Sequence, residues 1–138
     1  MINETIVRVR YAETDQMGVV YHSNYIVWFE IGRTEFFRNI GLEYTELEYN
    51  NILVPVVDVR CTYKSSAKYD DEIIIKTKVT KLTPARIQFD YEIVRKFDKE
   101  VLANGYTVHA FASKDLKIIN MKKNYKEVFD IIYDIIEK

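Results

Sequence analysis

The stretch from Tyr11 to Tyr25, "YAETDQMGVVYHSNY", places three tyrosines, two acids and a histidine just ahead of the apolar run "IVWFEIGRTEFF". Asp15 precedes Gly18, which permits a tight backbone path, and a helix starting near Ser23 lets the loop fold back over that helix's N-terminus. A helix N-terminus offers unpaired N–H groups and a partial positive charge. Such groups suit the oxyanion that develops when a carbonyl is attacked, while a nearby carboxylate serves as base or nucleophile. A positioned base contributes on the order of 10²–10⁴-fold, and one oxyanion donor about 3–4 kcal/mol. Together these are enough for an activated ester and marginal for an amide. The same letters also make a good turn, in which Asp15 binds local N–H groups and His22 caps or abuts the helix. Local chemistry alone favours the turn, with Tyr11 and Tyr21 as packing residues.

No other constellation competes. The sequence has no glycine-rich phosphate loop, no G-x-S-x-G elbow and no Cys/His spacing suited to zinc. With two histidines and one cysteine, neither a metal nor a cofactor is expected. His109 sits in a strand pattern, where a hydrogen-bonded core or groove histidine is the expectation. Cys61 is expected as a buried thiol, and a lone cysteine makes no intramolecular disulfide. Lys+Arg of 20 against Asp+Glu of 21 leaves a charge of -1, so no general attraction to nucleic acid or membrane is expected. The N-terminus lacks the apolar core of a signal peptide, and no apolar stretch approaches the ~18 residues of a membrane span. A cytoplasmic location is the resulting expectation.

The elements that must position Asp15 and His22 follow from periodicity. Residues 5 to 11 put Val7, Val9 and Tyr11 on one face of a strand, against Arg8 and Arg10. Tyr25, Trp28, Phe29, Gly32 and Phe36 follow helical spacing, with Ser23 or Asn24 as cap candidates and Gly41 as the stop. Ile26, Ile31 and Phe37 widen the apolar surface, so this helix should be wrapped by other structure. Residues 43 to 52 form a short helix or loop. Strands are expected over 53 to 63, with Pro55 marking an edge or bulge, then 72 to 82, 85 to 95 and 101 to 113. Tyr125, Val128, Phe129, Ile132, Ile135 and Ile136 mark a C-terminal amphipathic helix. Consecutive strands after one helix make the class α+β with an antiparallel sheet. The 138 residues suit one domain, 1–138, burying roughly two-thirds of the unfolded surface. Eleven tyrosines and seven phenylalanines suit a β-rich core as well as an interface or acyl pocket.

The ordered set Tyr11, Thr14-Asp15, Gly18-Val19-Val20-Tyr21-His22, Asn24-Tyr25, then Glu30, Arg33 and Glu35 resembles the N-terminal signature of hotdog-fold acyl-CoA thioesterases. These form the 4-hydroxybenzoyl-CoA thioesterase superfamily, and the likeness is strongest to its Tol-Pal-associated branch. Beyond Gly41 the resemblance is looser. It implies a curved antiparallel sheet wrapped around a long central helix, in accord with the element order. It places the catalytic carboxylate on Asp15, the oxyanion-binding N–H at His22, and Tyr11 at a site tyrosine. The His22 side chain matches a histidine that this branch carries and the benzoyl-CoA branch lacks. The implied activity is hydrolysis of an acyl-CoA to free acid and CoA, in a pocket between protomers of a dimer or dimer of dimers. Tyr21 and Tyr25 are candidate substrate contacts, and Lys64, Lys68, Arg86 and Lys114 are candidate cations for the CoA phosphates. Glu30 and Arg33 are expected to pair along the helix. Rival readings are hydrolysis of an acyl-carrier-protein thioester, a noncatalytic acyl or small-molecule binding module and, with less support, a hotdog dehydratase.

Overall fold

The computed structural model describes residues 1–136. Strand β1 (Asn3–Arg8) leads through a single 3-10 turn (Tyr11–Glu13) and a loop into helix α1 (Ser23–Asn39), followed by a short helix α2 (Tyr44–Tyr49). Four strands follow, β2 (Val56–Tyr63), β3 (Glu72–Leu82), β4 (Arg86–Arg95) and β5 (Val101–Ala110), and then helices α3 (Met121–Asn124) and α4 (Lys126–Asp134). All strand pairs are antiparallel, in the order β1-β3-β4-β5-β2.

Alternation along the strands creates the face on which α1 lies. In β4, Ile87, Phe89, Tyr91 and Ile93 are buried, while Gln88, Asp90 and Glu92 point outward. Phe29 stacks on Tyr91 with centroids 4.3 Å apart, and Phe36 and Phe37 meet Phe89 edge-on. Gly32 sets how closely helix and sheet approach. A Cβ there would lie 2.4 Å from Thr77 Oγ1 and 2.7 Å from Ile75 Cγ2, so only glycine lets α1 sit directly on β3. Phe129 and Ile132 bury the apolar side of α4 as expected.

Three expectations need correction. The first strand ends at Arg8, because Val9 exchanges hydrogen bonds with Asp70 and Asp71 rather than with β3. Tyr11 therefore enters the 3-10 turn and is 77% exposed, not on the buried face. In the second strand, Leu53 pairs with Ala112, and regular pairing with β5 starts only at Val56, beyond Pro55. Finally, β2 is an edge strand, as Pro55 indicated, but its residues are mostly exposed instead of alternating, including Val56, Val57 and Val59, and Cys61 is half-buried and not buried.

Candidate active site

Three short contacts shape the loop between β1 and α1. Asp15 N–H donates to Val19 O (2.8 Å), Gly18 N–H donates to Asp15 O (3.1 Å), and Val20 N–H donates to Ala67 O (2.9 Å). Gly18 closes this turn at φ +81, a left-handed conformation costly for other residues. Val19 also bridges to Lys68, so the loop is stitched to the 64–71 segment on its far side.

Within the turn, Asp15 Oδ1 accepts from Met17 N–H at 2.8 Å and Val19 N–H at 3.4 Å. The turn reading is thus correct for one oxygen. No described residue donates to the other, Oδ2. Asp15 lines an open cleft of about 560 Å³ together with Tyr11, Ala12, Thr14, Gln16, Tyr21 and Asn24. Tyr11 meets Tyr69 edge-on at 5.8 Å.

Helix α1 begins next to this cleft. His22 is its N-cap, with helical φ and ψ and no capping bond from its side chain. Tyr21 N–H, Asn24 N–H and Tyr25 N–H all donate to backbone oxygens, whereas the N–H groups of His22 and Ser23 meet no acceptor among the described residues. These two donors carry the positive end of a 17-residue helix. The His22 ring lies exposed against Tyr21 (4.4 Å between centroids) and Tyr63 (6.2 Å), and its carbonyl accepts from Tyr63 O–H at 3.0 Å.

The structure separates the remaining candidates. Tyr25 is 2% exposed and lies in the core, where its hydroxyl accepts from Ala67 N–H at 3.1 Å and holds the 64–71 segment against α1. Lys64 and Lys68 are exposed on that segment, and Lys68 bridges to the Asp15 loop. Arg86 and Lys114 lie at the opposite end of the sheet, about 30 Å away along β3 at the usual strand rise. They do not share the Asp15 cleft of their own protomer. Glu30 and Arg33 do not pair. Glu30 is exposed, while Arg33 turns inward with Nη1 buried and unpartnered among the described residues. Arg38 and Glu35, also three apart, form an ion pair instead.

Arg33 belongs to a buried polar seam beneath the middle of α1. Tyr91 O–H and the Thr107 hydroxyl are 2.6 Å apart, Thr107 meets His109 Nε2 at 2.8 Å, and His109 Nδ1 faces Val54 O at 2.9 Å. A neutral ring with its proton on Nδ1 completes this chain. Burial lowers the His109 pKa to about 4, and Arg33 pushes the same way against the Val54 bond. His109 is therefore the hydrogen-bonded core histidine expected. Burial raises the Tyr91 phenol to about 12 and takes Tyr44 higher still, and Arg33 partly offsets both.

Glu13 escaped notice in the sequence. It is 5% exposed, and its carboxylate accepts from Arg10 N–H at 2.8 Å and from the Trp28 indole N–H at 3.0 Å. One signal points to it. A buried tryptophan needs an acceptor for its N–H, and Glu13 is an acid in the loop that leads to the helix carrying Trp28.

A model of the thioesterase-like superfamily matches residues 9–128. The acyl-CoA thioesterase YbgC of Haemophilus influenzae is 37% identical over 90 residues, covering 64% of this chain and 66% of that protein. A crystal structure of the DHNA-CoA thioesterase from Staphylococcus aureus superposes with a TM-score of 0.92 at 32% identity, covering 96% of this chain and 89% of that one. A hypothetical protein of Thermus thermophilus gives a TM-score of 0.90 at 30% identity over the full length of both chains.

Proposed function

The chain belongs to the thioesterase-like superfamily, and on that footing we propose that it hydrolyses acyl-CoA thioesters with Asp15 as the acting carboxylate. Relatives named as acyl-CoA thioesterases and thioester hydrolases support the activity. The observation that carries the assignment to this site is the division within Asp15. One oxygen is pinned by two backbone N–H groups, and the other has no donor and belongs to a residue lining a cleft beside a helix N-terminus. Pinning Oδ1 fixes the carboxylate plane, so that Oδ2 has a defined direction of attack.

The thioester carbonyl lies against the N–H groups of His22 and Ser23. Asp15 acts on the carbonyl carbon, directly or through a water it deprotonates. As the new C–O bond forms, the carbonyl electrons move onto oxygen and the two N–H groups receive that charge. The carbonyl re-forms as the C–S bond breaks, and CoA leaves with the electron pair. Water supplies the hydroxyl of the acid and the proton that the thiolate takes. By the direct route water hydrolyses an acyl–Asp15 anhydride, which restores the carboxylate. Tyr11 and Tyr21 line the cleft and the His22 ring packs against Tyr21; Tyr11 and His22 orient acyl group or water, and Tyr21 supplies the wall. Lys64 and Lys68 are the cations on the same side of the protomer as the cleft for the CoA phosphates. Arg86 and Lys114 serve only if a second protomer brings them round.

A second protomer fits the edge strand β2. Val56, Val57, Val59 and Tyr63 are each 44 to 47% exposed there, and an unpaired apolar edge is a template for strand pairing. Residues 1–138 then act as one catalytic domain within a homodimer or dimer of dimers. No helix among the described residues is long and apolar enough to cross a membrane.

The test is thiol release by the purified protein over short, long and aromatic acyl-CoAs, with His22→Ala alongside. Turnover of at least one class supports the proposal, and silence across the panel refutes it. A noncatalytic binding module would hold the same acyl-CoAs without releasing thiol.

A further inference from the structure

We propose that Glu13 is the positioning residue of this site, its buried carboxylate setting the Asp15 loop against the N-terminus of α1. The inference rests on the assignment of Asp15 above.

Both oxygens of Glu13 are in use. Oε1 accepts from Arg10 N–H at 2.8 Å, with the Arg10 guanidinium Nε at 3.5 Å, and Oε2 accepts from Trp28 Nε1–H at 3.0 Å. The carboxylate thus joins the end of β1 to the second turn of α1. The main chain of the same residue makes a second pair of ties, its carbonyl accepting from Tyr21 N–H at 2.8 Å and Asn24 Nδ2–H at 2.9 Å. Asp15 lies two residues downstream of Glu13, and Tyr21 immediately precedes the unpaired His22 N–H. One residue therefore stands between the acting carboxylate and the oxyanion donors, and fixes one to the other through four hydrogen bonds.

Glu13 does not line the cleft, so it acts through its neighbours and not on substrate. A carboxylate is required because three donors face its two oxygens and both must accept. Glutamine fills the same volume but presents an NH₂ group to one of the donors. The clamp then opens by a fraction of an ångström to an ångström, and misplacement on that scale costs about 10²-fold in rate. Packing alone would predict no such dependence on charge.

Trp28 is the chain's one tryptophan, so its fluorescence reports on the clamp directly. The experiment compares Glu13→Gln, Trp28→Phe and Asp15→Asn with wild type. It measures thiol release per folded protein, affinity for a non-hydrolysable thioether analogue of the best acyl-CoA, and Trp28 emission. Glu13→Gln is expected to lower kcat about 10²-fold with KM and analogue affinity within about threefold, the pattern of a loss confined to the transition state. Its Trp28 emission should shift. Trp28→Phe removes one of the bonds and keeps an aromatic ring, and it should lower kcat about tenfold with the same split. It decides the matter if Glu13→Gln does not fold. The positioning role is overturned if the folded variants keep wild-type kcat, or if activity falls only in proportion to the folded fraction. Asp15→Asn separates the two assignments. If it is inactive while Glu13→Gln turns over normally, the positioning role alone fails. If Asp15→Asn itself turns over normally, the catalytic assignment falls and the positioning role falls with it.

Discussion

The corner formed by residues 10 to 28 and the seam beneath the middle of α1 both bury polar groups, and they leave different ones over. In the corner, the Glu13 carboxylate, the Trp28 indole and the Asn24 amide all have partners. Among the described residues, Asp15 Oδ2 and the N–H groups of His22 and Ser23, at the surface beside the cleft, have none. In the seam, the leftover groups are interior: Arg33 Nη1, the Tyr44 hydroxyl and the Thr77 hydroxyl. A group left over at an open cleft keeps its water until substrate replaces it. One left over in the interior costs about 1–3 kcal/mol. The contrast separates a corner whose loop is fixed by backbone and side-chain bonds, while Asp15 Oδ2 and the His22 and Ser23 N–H groups stay unpaired among the described residues, from a seam whose unpaired groups are enclosed.

For stability, the largest expected effect is acid loss through His109 in the seam. Its folded pKa of about 4 lies below the unfolded value of 6.5, so the unfolded chain binds the proton more readily. The contribution is therefore complete above pH 6.5 and is lost as pH falls toward 4, by up to about 3 kcal/mol. Urea unfolding across that window measures it, and a His109→Gln chain should show a shallower pH dependence. Next, Gly32→Ala drives a methyl into Thr77 Oγ1 and Ile75, and should cost about 2 kcal/mol in the same assay.

The sharpest form of the comparison makes a similar edit on both sides. Trp28→Phe in the corner removes a donor in use and should cost about 1.5 kcal/mol or more. Tyr44→Phe in the seam removes a hydroxyl that makes no hydrogen bond of normal geometry and meets only the Arg33 guanidinium, and should change stability by less than about 1 kcal/mol. Equal losses from the two would erase the distinction.

The parts of the fold legible in the sequence were those governed by periodicity. The spacing of Tyr25, Trp28, Phe29, Gly32 and Phe36 marks α1, and alternation from Ile87 to Ile93 marks β4, because burial on one face imposes both patterns. The Asp15 corner was legible only through an ordered match of residue types, since a turn and a carboxylate site use the same letters. Exposure along β2 was not legible, because Val57, Val59 and Cys61 alternate as they would in a half-buried strand. Whether a neighbour covers them depends on sheet order, which is a long-range property. Arg33 was misplaced for a related reason. Helical spacing offered Glu30 as its partner, whereas the tertiary fold offered Tyr44, Tyr91 and the interior.

The central claim is that Asp15 performs the chemistry while the rest of the corner holds it. Its most direct test is single-turnover thiol release by Asp15→Asn at saturating acyl-CoA, with affinity for the thioether analogue and unfolding measured on the same preparation. Asparagine still accepts from Met17 and Val19, so fold and binding should be retained while release slows by on the order of 10²–10⁴-fold. Release at the wild-type rate by a folded Asp15→Asn chain would contradict the account.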